Sequence, residues 1–296
     1  MDTNKFIYLY GMTILSIIHK LKEYPREDTY GEILETYRVP GGETGNSALI
    51  LSNLGYKVKI DGPFLGSNTN DPIKDFYKRY NIDCDGMIYD SSYLGVEDLV
   101  IIGAKTRTVF GTFNSFFSGT KRWSKPDENA IKLADIISID PFFSDESEEV
   151  SKLSSKYNKN YITIDCPPDS ILNKGAAATI ISKEYIENNY KDLNENELFK
   201  KYTSNTKGLV IFTFGADKIL YGRGNYIYEI TPYHIQVKST LGAGDTFRAG
   251  VLHGILNNLD DELTVKFAAS VAANVCTRFP FALNPPSLQD ILSLIK

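Results

Sequence analysis

Short apolar runs alternate with stretches of helical period along most of the chain. FIYLY (6–10), KVKID (57–61), DIISID (135–140), YITID (161–165), ATIIS (178–182) and LVIFTF (209–214) are rich in β-branched and aromatic residues and predict buried strands. Between them GNSALILSNLG (45–55), PDENAIKLA (126–134) and ESEEVSKLSSKYN (146–158) predict helices, the first stopped by Gly55 and the second opened by Pro126. Alternation of this kind predicts an α/β fold, a mostly parallel central sheet with helices on both faces. Towards the C-terminus the period turns helical. Phe247, Val251, Ile255 and Leu259 share one face, as do Leu263, Phe267, Val271 and Val275, so two amphipathic helices are expected.

Two regions break the alternation. Residues 29–40 and 96–118 carry β-branched and aromatic residues without helical period, and predict a small second sheet standing off the main one. No repeat, low-complexity tract or Pro/Ser linker divides the chain. A single α/β domain over 1–296 is therefore expected, with a β-rich flap built from about 14–40 and 96–118.

Composition removes some classes of partner. The net charge is −5 and no dense Lys/Arg stripe occurs, which argues against nucleic acid. The longest apolar run near the N-terminus is broken by His19, Lys20 and Lys22, so neither a signal peptide nor a membrane span is expected. Cys84, Cys166 and Cys276 are too widely spaced for a disulfide framework, and a reducing cytoplasm is the expected location.

The chemistry concentrates in STLGAGDTF (239–247). Gly242, Ala243 and Gly244 fall where the first C-terminal helix starts. Helix starts expose unpaired N–H groups and the positive end of the dipole, and small residues let an anion approach. A carboxylate at Asp245 would repel a bound phosphate, unless its task is to take a proton. As an isolated motif, the stretch reads first as a tight turn closed by a capping aspartate. Other phosphate and catalytic motifs are absent: no glycine precedes a lysine as a P-loop requires, and Phe247 stands where a dinucleotide fingerprint needs its third glycine. His19, His234 and His253 show no metal-ligand spacing, and no protein metal site is expected. His253 is expected on an exposed or half-buried side of its helix, in a structural role.

Over nearly the whole chain these residues resemble the ribokinase, or PfkB, family of carbohydrate kinases. TLGAGDTFRAGVLHGI is similar to that family's C-terminal signature, and VPGGETGNSALILSNLG (39–55) to its N-terminal one. The stretches IDGPFLGSNTNDPIKDFYKRYNID and VIFTFGAD stand at the expected places between them. The resemblance implies a ribokinase-like fold whose flap is a β-sheet lid closing over the sugar, often pairing with a second subunit's lid as a homodimer. It implies ATP and Mg²⁺ as cofactors, the metal held through phosphate oxygens and water. Gly242, Ala243 and Gly244 would form the anion hole, and Asp245 would be the general base for a sugar hydroxyl. Gly41, Gly42 and Asn46 map to the sugar pocket, and Thr213 and Gly215 to the loop beside the nucleotide.

The departures from the family bear on substrate. Ser16 stands where sugar kinases of the family carry an aspartate that grips two hydroxyls, so plain ribose is expected to be a poor substrate. Relatives that act on acid sugars lack that aspartate and use arginine, a role Arg107 in the lid would fill. The N-x-x-E motif near metal and phosphates is missing, with Ser182 at the Asn position and Tyr185 at the Glu position. Ser239, Leu241 and Pro280 depart from the segments that cage a monovalent cation in the family. The expectation is a kinase for a sugar-like small molecule. The alternatives are a kinase for a sugar acid or glycosylamine, and a non-catalytic binding protein on the same scaffold.

Overall fold

Neighbouring residues of one strand feed two different cores, and this explains the unbroken apolar runs. In β1 (Phe6–Tyr10), Ile7 and Leu9 enter one cluster of buried side chains while Tyr8 and Tyr10 enter another. A strand covered on both faces has no solvent side and needs no polar alternation. The computed structural model describes residues 4–103 and 107–295.

After β1 come β2 (Ile14–Leu21), β3 (Ile33–Gly41), α1 (Glu43–Asn53), β4 (Lys57–Asp61), α2 (Asn70–Arg79) and the short β5 (Ile82–Asp83). β6 (Glu97–Ile102), β7 (Arg107–Gly111) and α3 (Phe113–Ser118) follow. The middle of the chain holds α4 (Glu128–Leu133), β8 (Ile136–Ile139), α5 (Asp145–Lys156), β9 (Tyr161–Ile164), α6 (Ile171–Gly175) and β10 (Ala178–Ser182). The remainder is α7 (Lys183–Asn189), α8 (Glu195–Asn205), β11 (Leu209–Thr213), β12 (Ile219–Gly222), β13 (Tyr228–Ile230), α9 (Ala243–Leu256), α10 (Asp261–Cys276) and α11 (Leu288–Leu294).

Among the described residues the large sheet runs β13-β12-β11-β10-β9-β8-β1-β4-β5, antiparallel only where β12 and β13 join. The chain leaves β1 for β4 on one side and returns as β8 on the other. Ligands of open α/β sheets bind beyond the carboxyl ends of the strands at such a switch point. A second sheet, β3-β2-β6-β7, is the expected lid. No helix among the described residues is long and apolar enough to cross a membrane.

Several expectations need correcting. The flap ends early: residues 113–118 form α3, because Phe116 and Phe117 pack with Trp123 and Phe143 against the main body instead of pairing as a strand. α4 is opened by Asp127, one residue after the predicted Pro126; its side chain accepts from the Asn129 and Ala130 amides. α9 is not amphipathic but buried nearly all round, enclosed by α1, α10 and the sheet. A Cβ on Gly250 would lie 2.4 Å from the Ala268 Cα, so the two long helices approach to backbone contact there. His253 accordingly sits inside, 3% exposed, stacked on Phe267 and 2.8 Å from the Tyr56 hydroxyl. On α10 the first residue of the stripe, Leu263, remains exposed in the opening turn.

Candidate active site

Two helix N-termini meet at the switch point. α9 begins at Gly242, whose φ of 77° is left-handed and where a Cβ would meet the Phe281 ring at 2.6 Å, so only glycine fits. α1 begins at Gly42, φ 82°, where a Cβ would stand 2.6 Å from the Met12 carbonyl. Neither helix has a side-chain cap: in α1 the Thr44 and Gly45 amides go to the Met12 carbonyl, while in α9 the Ala243 amide goes to Thr240 and those of Gly244 and Asp245 face the open end of the helix. Around Gly244 the space where a Cβ would stand is open. The helices are tied together directly: Asn46 Nδ2 donates to Asp245 Oδ2 at 2.7 Å, and the Ser47 hydroxyl to the Asp245 carbonyl at 2.7 Å.

Beneath this junction lies a buried ion pair. Arg248, one turn after Asp245, is fully buried and pairs through Nη1 with Asp140 Oδ1, just past the end of β8. Its Nε donates to the Ser47 hydroxyl at 3.0 Å. The other oxygen of Asp140 accepts from the Met12 amide at 2.7 Å and the Thr44 hydroxyl at 3.0 Å. Each charge is thus compensated by the other and by hydrogen bonds, the condition under which a buried pair is tolerable.

Acids crowd the cavity above it. Burial raises Asp245, while the Asn46 hydrogen bond and the charges of Arg248 and Arg107 hold it down. Glu43, in the first turn of α1, is pushed up to about 8 by burial and then by the charges of Asp245 and Asp140. On lid strand β6, Asp98 is raised to about 6 by burial, which the Ser16 hydroxyl opposes and the charge of Asp245 reinforces.

A cavity of about 370 Å³ collects nearly all the residues singled out in the sequence. Ser16, Gly41, Gly42, Asn46 and Arg107 line it on the lid and α1 side, Gly242, Ala243, Gly244 and Asp245 at the base, and Ser182 and Thr213 at the ends of β10 and β11. Gly215 is not in the lining; it occupies the β11–β12 turn with φ 64°, where Phe214 and Lys218 are hydrogen-bonded across the loop. Ser182 caps α7 and donates to Asp165 Oδ2 at 2.9 Å, so this aspartate just past β9 stands against the Asn position of the missing N-x-x-E motif. Sequence reasoning missed Glu43, Asp98, Asp140 and Arg248. Arg248 carried the one available signal, a charge beside Phe247 on the apolar stripe; the others acquire meaning only through strand register and packing.

The sheet order, the lid and the paired helix N-termini define a ribokinase-like α/β fold. Residues 177–285 match the family profile described as pfkB family carbohydrate kinase, so the family resemblance drawn from the motifs stands. A nucleoside kinase of Methanothermobacter thermautotrophicus is 23% identical over 291 residues, covering 92% of this chain and 90% of that protein. The Arabidopsis thaliana ribokinase complexed with ribose and ATP superposes with a TM-score of 0.79 at 16% identity, covering 99% of each chain. An E. coli protein in complex with ATP and Mg²⁺ gives a TM-score of 0.79 at 14% identity, over 98% of this chain and 99% of that one. The sugar-kinase class expected from the motifs is consistent with all of these.

Two outcomes are expected. Arg248→Met leaves Asp140 charged and buried without its partner, so urea unfolding should show a loss of about 3–5 kcal/mol; adding Asp140→Asn should recover part of it. Glu43 holds a proton in the folded state that the unfolded chain releases above its ordinary 4.5. Its contribution to stability is therefore full below that pH and is lost as pH rises through about 8. Glu43→Gln removes this loss, so its Tm should exceed the parent's by a margin that grows with pH and levels off above about 8, reaching a few degrees.

Proposed function

We propose that the chain is an ATP-dependent kinase that phosphorylates a hydroxyl of a sugar or sugar-like small molecule, with Asp245 as general base. The observation that carries this reading is the Asn46–Asp245 hydrogen bond at two uncapped helix N-termini. Asn46 occupies Oδ2 and orients the carboxylate, while Oδ1 makes no hydrogen bond and stays available to a substrate hydroxyl. Burial raises the affinity of Asp245 for a proton, which suits a base working near neutrality. At the start of α9 the Gly244 amide has no side chain over it and open space before it, a donor of the kind that a transferring phosphoryl group requires.

The same residues fit ATP. Its γ-phosphoryl is the group transferred, and the first-turn amides of α9 would hold the phosphates while Ser182 and Thr213 border the nucleotide side. Mg²⁺ would be carried on the phosphate oxygens and water, as the family resemblance implies. The lid supports pairing with a second copy: its outer strands expose Ile33, Leu34 and Phe110.

The reading is tested by ADP release across a panel of sugars, sugar acids, glycosylamines and nucleosides; a protein that binds panel members but never releases ADP would be a binding protein instead. Asp245→Asn should lower kcat by about 10²–10⁴-fold and leave ATP binding, measured by titration, largely intact. Exchange of K⁺ for a large inert cation should change activity little. Ser239 brings no carboxylate to the segment where the family's cage has one and its hydroxyl accepts from the Leu241 amide at 3.2 Å, while Pro280 restricts the turn after Arg278. A saturable K⁺ activation of tenfold or more would contradict this.

A further inference from the structure

The cavity holds a carboxylate, Asp98, that the Ser16 hydroxyl serves in part and no backbone amide or cation does among the described residues. Strands β2 and β6 pair in parallel, and the register sets Asp98 directly beside Ser16. Ladder partners point to the same face of a sheet. That face is the cavity wall, which Ile14, Ser16, Ile18 and Asp98 all line. Asp98 is only 9% exposed, and its Oδ1 is buried with no hydrogen-bond partner. Among the described residues no cation pairs with it. A buried acceptor left unsatisfied is costly, and native proteins rarely keep one without a use.

A purely structural aspartate would be expected to bond a backbone amide, as Asp140 does to Met12, or to cap a helix, as Asp127 does. Asp98 does neither. Its neighbours in the wall explain what it lacks: Ser16 stands where a charged grip on sugar hydroxyls was expected, and Asp98 puts a carboxylate one strand over, on the same surface. The charge balance of the cavity adds a second constraint. Asp98, Glu43 and Asp245 line it together, and of the three arginines in its wall Arg248 is committed to Asp140 and Arg278 pairs with Asp290, leaving Arg107 at the exposed rim. A ligand bringing hydroxyl or ammonium donors would satisfy these acids; a ligand bringing a carboxylate would meet Asp98 and Asp245 as like charges.

We propose that Asp98 is the substrate-recognising carboxylate of this chain, delivered by β6 in place of an acid at position 16, and that it selects neutral or amino sugars against sugar acids. This rests on the kinase reading only in taking the cavity as the sugar site, so binding and turnover are measured separately. Thermal shift with ribose, fructose, glucosamine and gluconate as probes reads binding; ADP release reads turnover. A neutral or amino sugar should raise the Tm of the parent protein, with gluconate weaker. Asp98→Asn should weaken that sugar, in Kd or KM, about 10- to 100-fold, with kcat changed less and the KM for ATP unchanged. The ligand-free Tm of Asp98→Asn should be equal to or above the parent's, since an orphaned buried charge is removed. Ser16→Asp should weaken binding by setting two acids side by side, and the exchange Ser16→Asp with Asp98→Ser should recover part of it. Unchanged sugar affinity in Asp98→Asn, preference for gluconate, a fall in the ligand-free Tm, or no sugar binding by the parent would each overturn the proposal. Sugar binding that depends on Asp98 without ADP release would overturn the kinase reading alone.

Discussion

The buried pair of Arg248 and Asp140 fixes the geometry on which the site depends. It joins α9 to the end of β8, and through Ser47, Thr44 and Met12 it draws in α1 and the loop after β1. The surroundings leave almost no slack: a Cβ on Gly11 would fall 2.1 Å from Asp140 Oδ2. Guanidinium and carboxylate meet in a restricted set of orientations, so a satisfied pair also specifies how the helices sit. Asp245 lies one turn from Arg248 on a helix packed on every side. Its position follows from packing far more than from its own short contacts.

What the sequence made legible is what the backbone encodes locally. The Gly-Gly pair before α1 and the Gly-Ala-Gly before α9 are short-range solutions to left-handed φ and close approach, and such solutions leave motifs. The central strands were equally legible, because burial on both faces writes itself as an unbroken apolar run. The illegible parts are pairings across distance. Nothing near Asp98 marks it as a neighbour of Ser16; that relation exists only once β2 and β6 are in register. The aromatic run at 113–118 was read as strand because composition cannot reveal that Trp123 and Phe143 wait to receive it.

The lid illustrates a division of labour between sheets. The large sheet is covered on both faces and rigid, and it carries the groups that must not move. The small sheet has one face on the cavity and one open, with the alternation of β6 visible as buried Asp98, Val100 and Ile102 between more exposed neighbours. Recognition placed on such a sheet can change by single substitutions without disturbing the base of the site. The proposed recognising carboxylate on β6, in place of one on β2, would be a change of that kind.

The span of the ion pair also sets an order of events during synthesis. Asp140 and Arg248 are 108 residues apart in the chain. When β8 leaves the ribosome it can join β1 and β9, but its terminal acid has no counter-charge yet. At about 5–20 residues per second the arginine follows roughly 5–20 s later. Until then a closed switch point would bury a carboxylate without its counter-charge, which disfavours closure at the place where the last third must insert. Completion of the chain, more than collapse of its first half, decides when the two helix N-termini come together.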